Sequence, residues 1–145
     1  MFQTILEKIA FLFYDLVWSL AIPLLRLNRR LAEGYNQRRL KHPMPAPADI
    51  WIQAASVGES FLAWELLKHL SSGRSIKILI TTNTSQGMEI LEKAVAEITA
   101  GDSNISVATA YFPFDKPGIM KRAVAIIQPK VCLLYTSPSP RDQRP

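Results

Sequence analysis

From Asp49 onward, short apolar runs of strand length alternate with stretches of helical period, and few folds can satisfy that alternation. IWIQAAS (Ile50 to Ser56), IKILITT (Ile76 to Thr82) and ISVATAYF (Ile105 to Phe112) read as strands. Between them, Gly58 to Leu70 carries Phe61, Leu62, Leu66 and Leu70 at helical spacing, and Thr84 to Ala100 carries Met88, Leu91, Val95 and Ile98. SSGRS and GDSN mark the turns. Asp115 can cap a third helix, with Pro117 in its first turn, where a missing N–H does no harm. That helix ends before Gln128-Pro129, and Lys130 to Leu134 opens a fourth strand. Strand–helix alternation with short links predicts an α/β domain with a parallel sheet and right-handed crossovers. Ligands of such sheets bind at the carboxyl ends of the strands. The loops after Ser56, Thr82 and Phe112 are therefore where chemistry is expected.

Ahead of this domain lies a different kind of sequence. Ile9 to Leu25 is apolar except for Asp15 and Ser19, with Pro23 near its end. A spanning helix needs roughly 20 apolar residues. The run is slightly short, and it suits either a marginal transmembrane helix or one lying in the interface plane. A buried core helix is the plain alternative. A cleaved signal peptide fits poorly, because Glu7 and Lys8 cancel and arginines follow where small residues should be. Arg26, Arg29, Arg30, Arg38, Arg39 and Lys41 follow with only Glu33 against them, and this stretch accounts for the whole net charge of +5. Such a cluster binds anions. Beside an apolar helix it predicts contact with lipid head groups and a domain kept on the cytoplasmic side. No readout element accompanies it, so nucleic acid is not expected as a partner.

Residues 1–42 thus read as a membrane anchor with a basic juxtamembrane segment. HPMPAPA (His42 to Ala48) contains the Pro-rich linker, residues 43–48, since closely spaced prolines forbid a helix and favour an extended spacer. Residues 49–131 form the α/β domain. Beyond Val131 the periodicity stops, and CLLYTSPSPRD looks like the in-frame translation of a sequencing-library adaptor. Residues 132–145 are accordingly expected to be non-native, Cys132 included. The single cysteine and the distant histidines, His42 and His69, offer neither a disulfide nor a zinc site.

Two motifs fall at the expected edge of the sheet. In A-S-V-G-E (Ala55 to Glu59), Glu59 opens a helix, where a carboxylate can accept a proton from a substrate hydroxyl. Ser56-x-x-Glu59 is equally a capping box. In T-T-N-T-S-Q-G (Thr81 to Gly87), hydroxyls and an amide crowd a helix N-terminus, which attracts phosphate or carboxylate. Plain capping by Thr84 or Ser85 is the alternative. No G-x-G-x-x-G and no Walker loop is present.

The order of the pieces is more specific than any one of them. A hydrophobic N-terminus, basic residues and a proline linker precede IWIQAASVGES, ITTNTSQG, YFPFDKPG and a helix ending IIQPK. This resembles the N-terminal half of the Kdo (3-deoxy-D-manno-octulosonic acid) transferases of lipopolysaccharide synthesis. Those carry I-W-x-H-A-x-S-V-G-E, T-T-x-T-x-x-G, Y-x-P-x-D and Q-P-K in that order. The resemblance covers residues 1 to about 131. It departs at Gln53, where the family often has His, and after Val131, where an acidic block and the donor domain would follow.

The resemblance implies the Rossmann-like, acceptor-side half of a two-domain GT-B glycosyltransferase at the cytoplasmic face of the bacterial inner membrane. Its N-terminal domain would bind lipid A precursor. A further domain would bring CMP-Kdo, and transfer would be inverting, with no metal and no other cofactor. The glutamate of S-V-G-E, which acts as general base in the family, falls on Glu59. Ser56, Gly58, Thr82 and Thr84 become candidate acceptor contacts. Without its donor domain the chain is expected to be inactive. Another GT-B enzyme with a lipid-linked acceptor, or a non-catalytic membrane-anchored α/β module, are the alternatives.

Overall fold

Four parallel strands carry the fold. The structure, a computed structural model, describes residues 2–27, 32–101 and 104–134. Helix α1 (Phe2–Leu25) and the short helix α2 (Tyr35–Arg38) precede β1 (Ile50–Ala54), α3 (Val57–His69), β2 (Ile76–Thr82), α4 (Ser85–Gly101), β3 (Ile105–Tyr111), α5 (Pro117–Ile127) and β4 (Val131–Leu134). The sheet order is β3-β2-β1-β4. Ile52 pairs with Ile80 on one side and with Leu133 on the other, and Ile80 pairs with Thr109. The chain winds outward from β1 to β3, then returns through α5 to the opposite side of β1. The point of reversal lies between β1 and β4, beside the loop that carries Glu59. The expected α/β class and parallel sheet are both present.

Period 2 along the strands puts two apolar sets on opposite faces. On one face Ile52, Ala54, Ile78, Ile80, Ile105 and Val107 meet α3 and α4 through Ala63, Leu67, Leu91 and Ala94. Each fully buried Leu or Ile there contributes roughly 1.5–3 kcal/mol. On the other face Trp51, Leu79 and Ala110 meet Ala123 and Ile127 of α5. Trp51 keeps its indole satisfied, as Nε1 donates to Thr81 Oγ1 at 2.9 Å inside the core.

Three features differ from the sequence expectation. The inner face of α3 is Ser60, Ala63 and Leu67, while Phe61 and Leu62 are more than half exposed. Small residues face the sheet because α3 and α4 approach closely: a Cβ on Gly87 would overlap Thr82 Oγ1 and crowd Ser60 Oγ. Asp115 does not cap α5. Lys116 is the N-cap residue, without a side-chain cap, and Asp115 instead accepts from Tyr14 Oη at 2.9 Å. The proline stretch is extended but not a free spacer. Leu40, Met44 and Ala48 are buried against Trp51, Leu79 and Ile127, and the Ala48 N–H donates to the Ile127 carbonyl at 3.0 Å. Folded structure therefore begins before Asp49.

The fourth strand continues through Cys132 to Leu134, paired with Trp51 to Gln53 of β1, so the expected boundary at residue 131 falls inside a strand. All its side chains are exposed, and backbone pairing alone defines it. Residues 135–145 lie outside the described residues.

Candidate functional site

The Ser56–Glu59 turn closes β1 and opens α3. Ser56 is extended, and its Oγ accepts from the Glu59 N–H at 3.3 Å. In return Glu59 Oε2 accepts from a backbone N–H at 2.6 Å, that of Ala55 rather than of Ser56 itself. The capping arrangement foreseen from S-x-x-E is thus made, displaced by one residue. It fixes the Glu59 side chain, half-buried, at the carboxyl end of the central strand. Among the described residues Oε1 has no hydrogen-bond partner, so one carboxylate oxygen is held and the other can accept. Ser56, Val57 and Gly58 are exposed around it, and a Cβ on Gly58 would meet nothing within 4 Å. The helix does not require glycine here, and the turn is open to solvent at Gly58. Val57, Phe61 and Leu62 present an exposed apolar surface along the first turns of the same helix.

The second loop is built for capping. Thr84 Oγ1 accepts from the Gly87 N–H at 3.0 Å, capping α4. Thr82 is fully buried, with its Oγ1 3.5 Å from the Thr84 N–H and its carbonyl accepting from Phe112. Its hydroxyl is enclosed between α3 and α4, so Thr82 leaves the set of candidate acceptor contacts. Ser56, Gly58 and Thr84 remain at the open edge.

The basic segment divides. Arg38, expected from the sequence among the head-group contacts, is buried at 6 % exposure. Its Nη2 donates to the Asn83 carbonyl at 2.6 Å and its Nε to the Glu33 carbonyl at 3.2 Å. The guanidinium also faces the Tyr111 and Phe114 rings at 5.1 and 5.8 Å. Burial pushes its pKa down from the ordinary value, opposed by Tyr111 and Glu33. With the Gln37 side chain accepting from the Tyr111 N–H, Arg38 pins α2 across the ends of β2 and β3. Gly34, at φ 64°, makes this possible, since any Cβ there would overlap the Tyr111 ring. Arg26, Arg39 and Lys41 remain outside the core, and Arg26 and Arg39 stack over Tyr35 at 5.3 and 5.4 Å. Arg29 and Arg30 lie outside the described residues.

A groove of about 830 Å³ runs along the same edge, between α1 and the strand ends. Tyr14, Val17, Trp18 and Ala21 line one wall, and Phe112, Phe114, Gln53 and Asn83 line the other. Glu59 is not among its lining residues. The groove reaches β1 at Gln53, two residues before the Ala55 that holds Glu59. Sequence reasoning missed this wall, because it depends on α1 folding back onto the domain. Among the described residues, no three His, Cys, Asp or Glu side chains converge as a metal site would need.

Fold and site together define a Rossmann-like α/β domain with a parallel sheet and a carboxylate at the end of its first strand. The family model for 3-deoxy-D-manno-octulosonic-acid transferase (kdotransferase) matches residues 26–137, and the chain belongs to that family. The 3-deoxy-D-manno-octulosonic acid transferase of Haemophilus influenzae is 36 % identical over 110 residues, which cover 75 % of this chain and 24 % of that protein. The chain thus spans about a quarter of the length of that curated relative. No solved structure matches the chain.

Proposed function

We propose that this chain is the acceptor-side part of an enzyme that transfers Kdo from CMP-Kdo to lipid A precursor, with Glu59 as general base. The observation that carries the reading is the state of Glu59. One oxygen is fixed by the Ala55 N–H, and the other has no partner among the described residues, in a turn whose Ser56, Val57 and Gly58 are exposed at the carboxyl edge of the sheet. A sugar hydroxyl is a poor nucleophile. A positioned carboxylate that takes its proton as the new glycosidic bond forms accelerates such a step by ~10²–10⁴-fold. The hydroxyl oxygen attacks the anomeric carbon of Kdo, CMP leaves from the opposite face, and the configuration inverts. No metal is required by this scheme. Ser56, Gly58 and Thr84 are positioned to meet the acceptor. The exposed Val57, Phe61 and Leu62 suit an acceptor that carries acyl chains.

Membrane association supports the same reading. Glu7–Leu25 is long and apolar enough to cross a bilayer by length and composition, and only 6 % of that window is buried. Phe11, Leu12, Phe13, Leu16, Leu20 and Leu24 are all exposed. A domain held at the cytoplasmic face of the inner membrane would meet a lipid acceptor there, and CMP-Kdo would enter with the rest of the enzyme.

The test is a full-length enzyme in which residues 1–131 are joined to the C-terminal remainder of the Haemophilus relative. Incorporation of Kdo from CMP-Kdo into lipid A precursor in detergent is the expected result. A folded, membrane-bound hybrid that transfers no Kdo would contradict it.

A further inference from the structure

A second pocket, of about 470 Å³, lies where α1 meets the start of α5, away from the Glu59 edge. Four cationic side chains line it: Arg39 and Lys41 from the N-terminal segment, and Lys116 and Arg122 from α5. Ser19 and Ile22 of α1 form its other wall. Lys116 and Arg122 are some eighty residues from Arg39 in sequence, so no reading of the basic stretch alone would group them. Asp15 lies 3.5 Å from Lys116 Nζ, and none of the residues lining the pocket is acidic, so the lining carries a surplus of positive charge. Lys116 is also the N-cap of α5 and has no side-chain cap, and Pro117 supplies no N–H. The Ile119 and Met120 N–H groups donate to the Lys116 carbonyl at 2.9 Å, so the first turn of α5 offers this space the Gly118 N–H and the positive end of its dipole. The size is that of a small-ligand site.

We propose that this pocket binds the phosphate of an anionic membrane lipid, whose acyl chains lie along the exposed face of α1. The occupant follows from the two walls. Cations converge on one side, and on the other stands a helix whose outward residues are Leu16, Leu20 and Leu24. A free phosphate would satisfy the cations but leave the apolar wall without a partner. A phospholipid satisfies both, and its head group holds the domain against the bilayer at one orientation. This site is distinct from the catalytic edge, and it rests on the reading of α1 as membrane-associated.

The experiment is equilibrium binding of the chain to vesicles of phosphatidylcholine, with and without phosphatidylglycerol. Binding to pure phosphatidylcholine tests α1 itself. The increment from phosphatidylglycerol tests the pocket, so the two failures are distinguishable. Lys41→Gln with Arg122→Gln should reduce that increment about 20–30-fold, from a factor of about five for each basic residue at the surface. Lys93→Gln with Lys121→Gln removes the same charge elsewhere and should change it less than about 3-fold. Equal losses in the two pairs would overturn the proposal in favour of diffuse attraction. Gly118→Glu supplies a second variant. A Cβ there meets nothing within 4 Å, so the fold tolerates the side chain while a carboxylate enters the pocket. It should abolish the increment, whereas Gly118→Gln should retain most of it. Unchanged binding by Gly118→Glu would overturn the proposal. Inorganic phosphate at millimolar concentration should compete poorly with dihexanoylphosphatidylglycerol below its micelle concentration. Equal affinity for the two would identify a free-anion site instead.

Discussion

Lys116 Nζ lies 2.8 Å from Ser19 Oγ, joining the start of α5 to the middle of the apolar N-terminal helix. Asp15, one turn earlier, faces the same ammonium, and Tyr14 Oη donates to Asp115 at 2.9 Å. Trp18 and Ile22 continue the contact against Phe114 and Tyr35. The polar breaks in the apolar run, Asp15 and Ser19, are therefore docking residues.

This docking decides the helix's disposition. With Tyr14 to Leu25 held on the domain, only Ile9 to Phe13 of the apolar run projects beyond it. Five residues rise about 7.5 Å, far less than the roughly 30 Å hydrocarbon core. The helix is expected to lie in the interface plane and not to span. A Thr4→Cys substitution in a Cys132→Ser background, with the protein added to sealed vesicles, should react fully with a membrane-impermeant maleimide from outside. Protection of that cysteine until the vesicles are lysed would show that the helix crosses.

The glycines of the two motifs should behave oppositely. Gly87→Ala drives a methyl into Thr82, Ser60 and Thr84, and overpacking of this kind costs about 1–3 kcal/mol. Gly58→Ala meets nothing, and alanine gains up to about 1 kcal/mol of helix propensity. Urea unfolding should thus give a lower midpoint for Gly87→Ala and an equal or higher one for Gly58→Ala. In the full-length hybrid, Gly58→Ala should nonetheless weaken transfer if Gly58 meets the acceptor as proposed, because the methyl adds bulk at that exposed contact. Full activity would remove Gly58 from the acceptor contacts.

At the opposite, amino-terminal edge of the sheet, Asp49 accepts from Lys130 Nζ at 2.6 Å and from the Lys77 N–H at 2.9 Å. These hydrogen bonds hold its carboxyl below the ordinary aspartate range. A carboxyl depressed in the folded state stabilises above its unfolded value and loses that contribution as pH falls through the folded value. The Tm difference between the parent chain and Asp49→Asn should therefore be constant from pH 8 to about pH 5. It should begin to shrink as the pH drops below about 4 and vanish only once the pH falls below the depressed folded value. A difference that grows with acidification would contradict the assignment.

The tail remains a sequence expectation with a direct check. Amplifying the source DNA independently and reading past codon 131 should replace CLLYTSPSPRD with a frame that continues the α/β pattern. Recovery of the same codons would make the tail native.

What the sequence disclosed was local and periodic. The β1–β3 cores, the α4 face through Leu91 and Ile98, and the placing of Glu59 at a strand end all follow from spacing and from the rule for parallel sheets. What it concealed were contacts between distant segments. Arg38 looked like one more surface cation. Its burial depends on Asn83 and Tyr111, more than forty residues away, and nothing in charge patterning signals them. The proline stretch looked like a spacer because its apolar residues, Met44 and Ala48, follow no helical or strand period, yet with Leu40 just before it they cover the second face of the sheet. Phe61 and Leu62 sat at helical spacing but on the outward side. The close α3–α4 approach selected Ser60 and Ala63 for the inside.

The general-base assignment is tested most directly by Glu59→Gln in the full-length hybrid, with Kdo transfer and thermal stability measured on the same preparation. Glutamine also serves as a capping-box partner, so the turn between Ala55 and Glu59 should persist and Tm should change little. The amide cannot take the proton of the attacking hydroxyl. Turnover should fall about 10²-fold or more. A stable Glu59→Gln protein with near-normal turnover would contradict the account and leave Glu59 with the capping role alone.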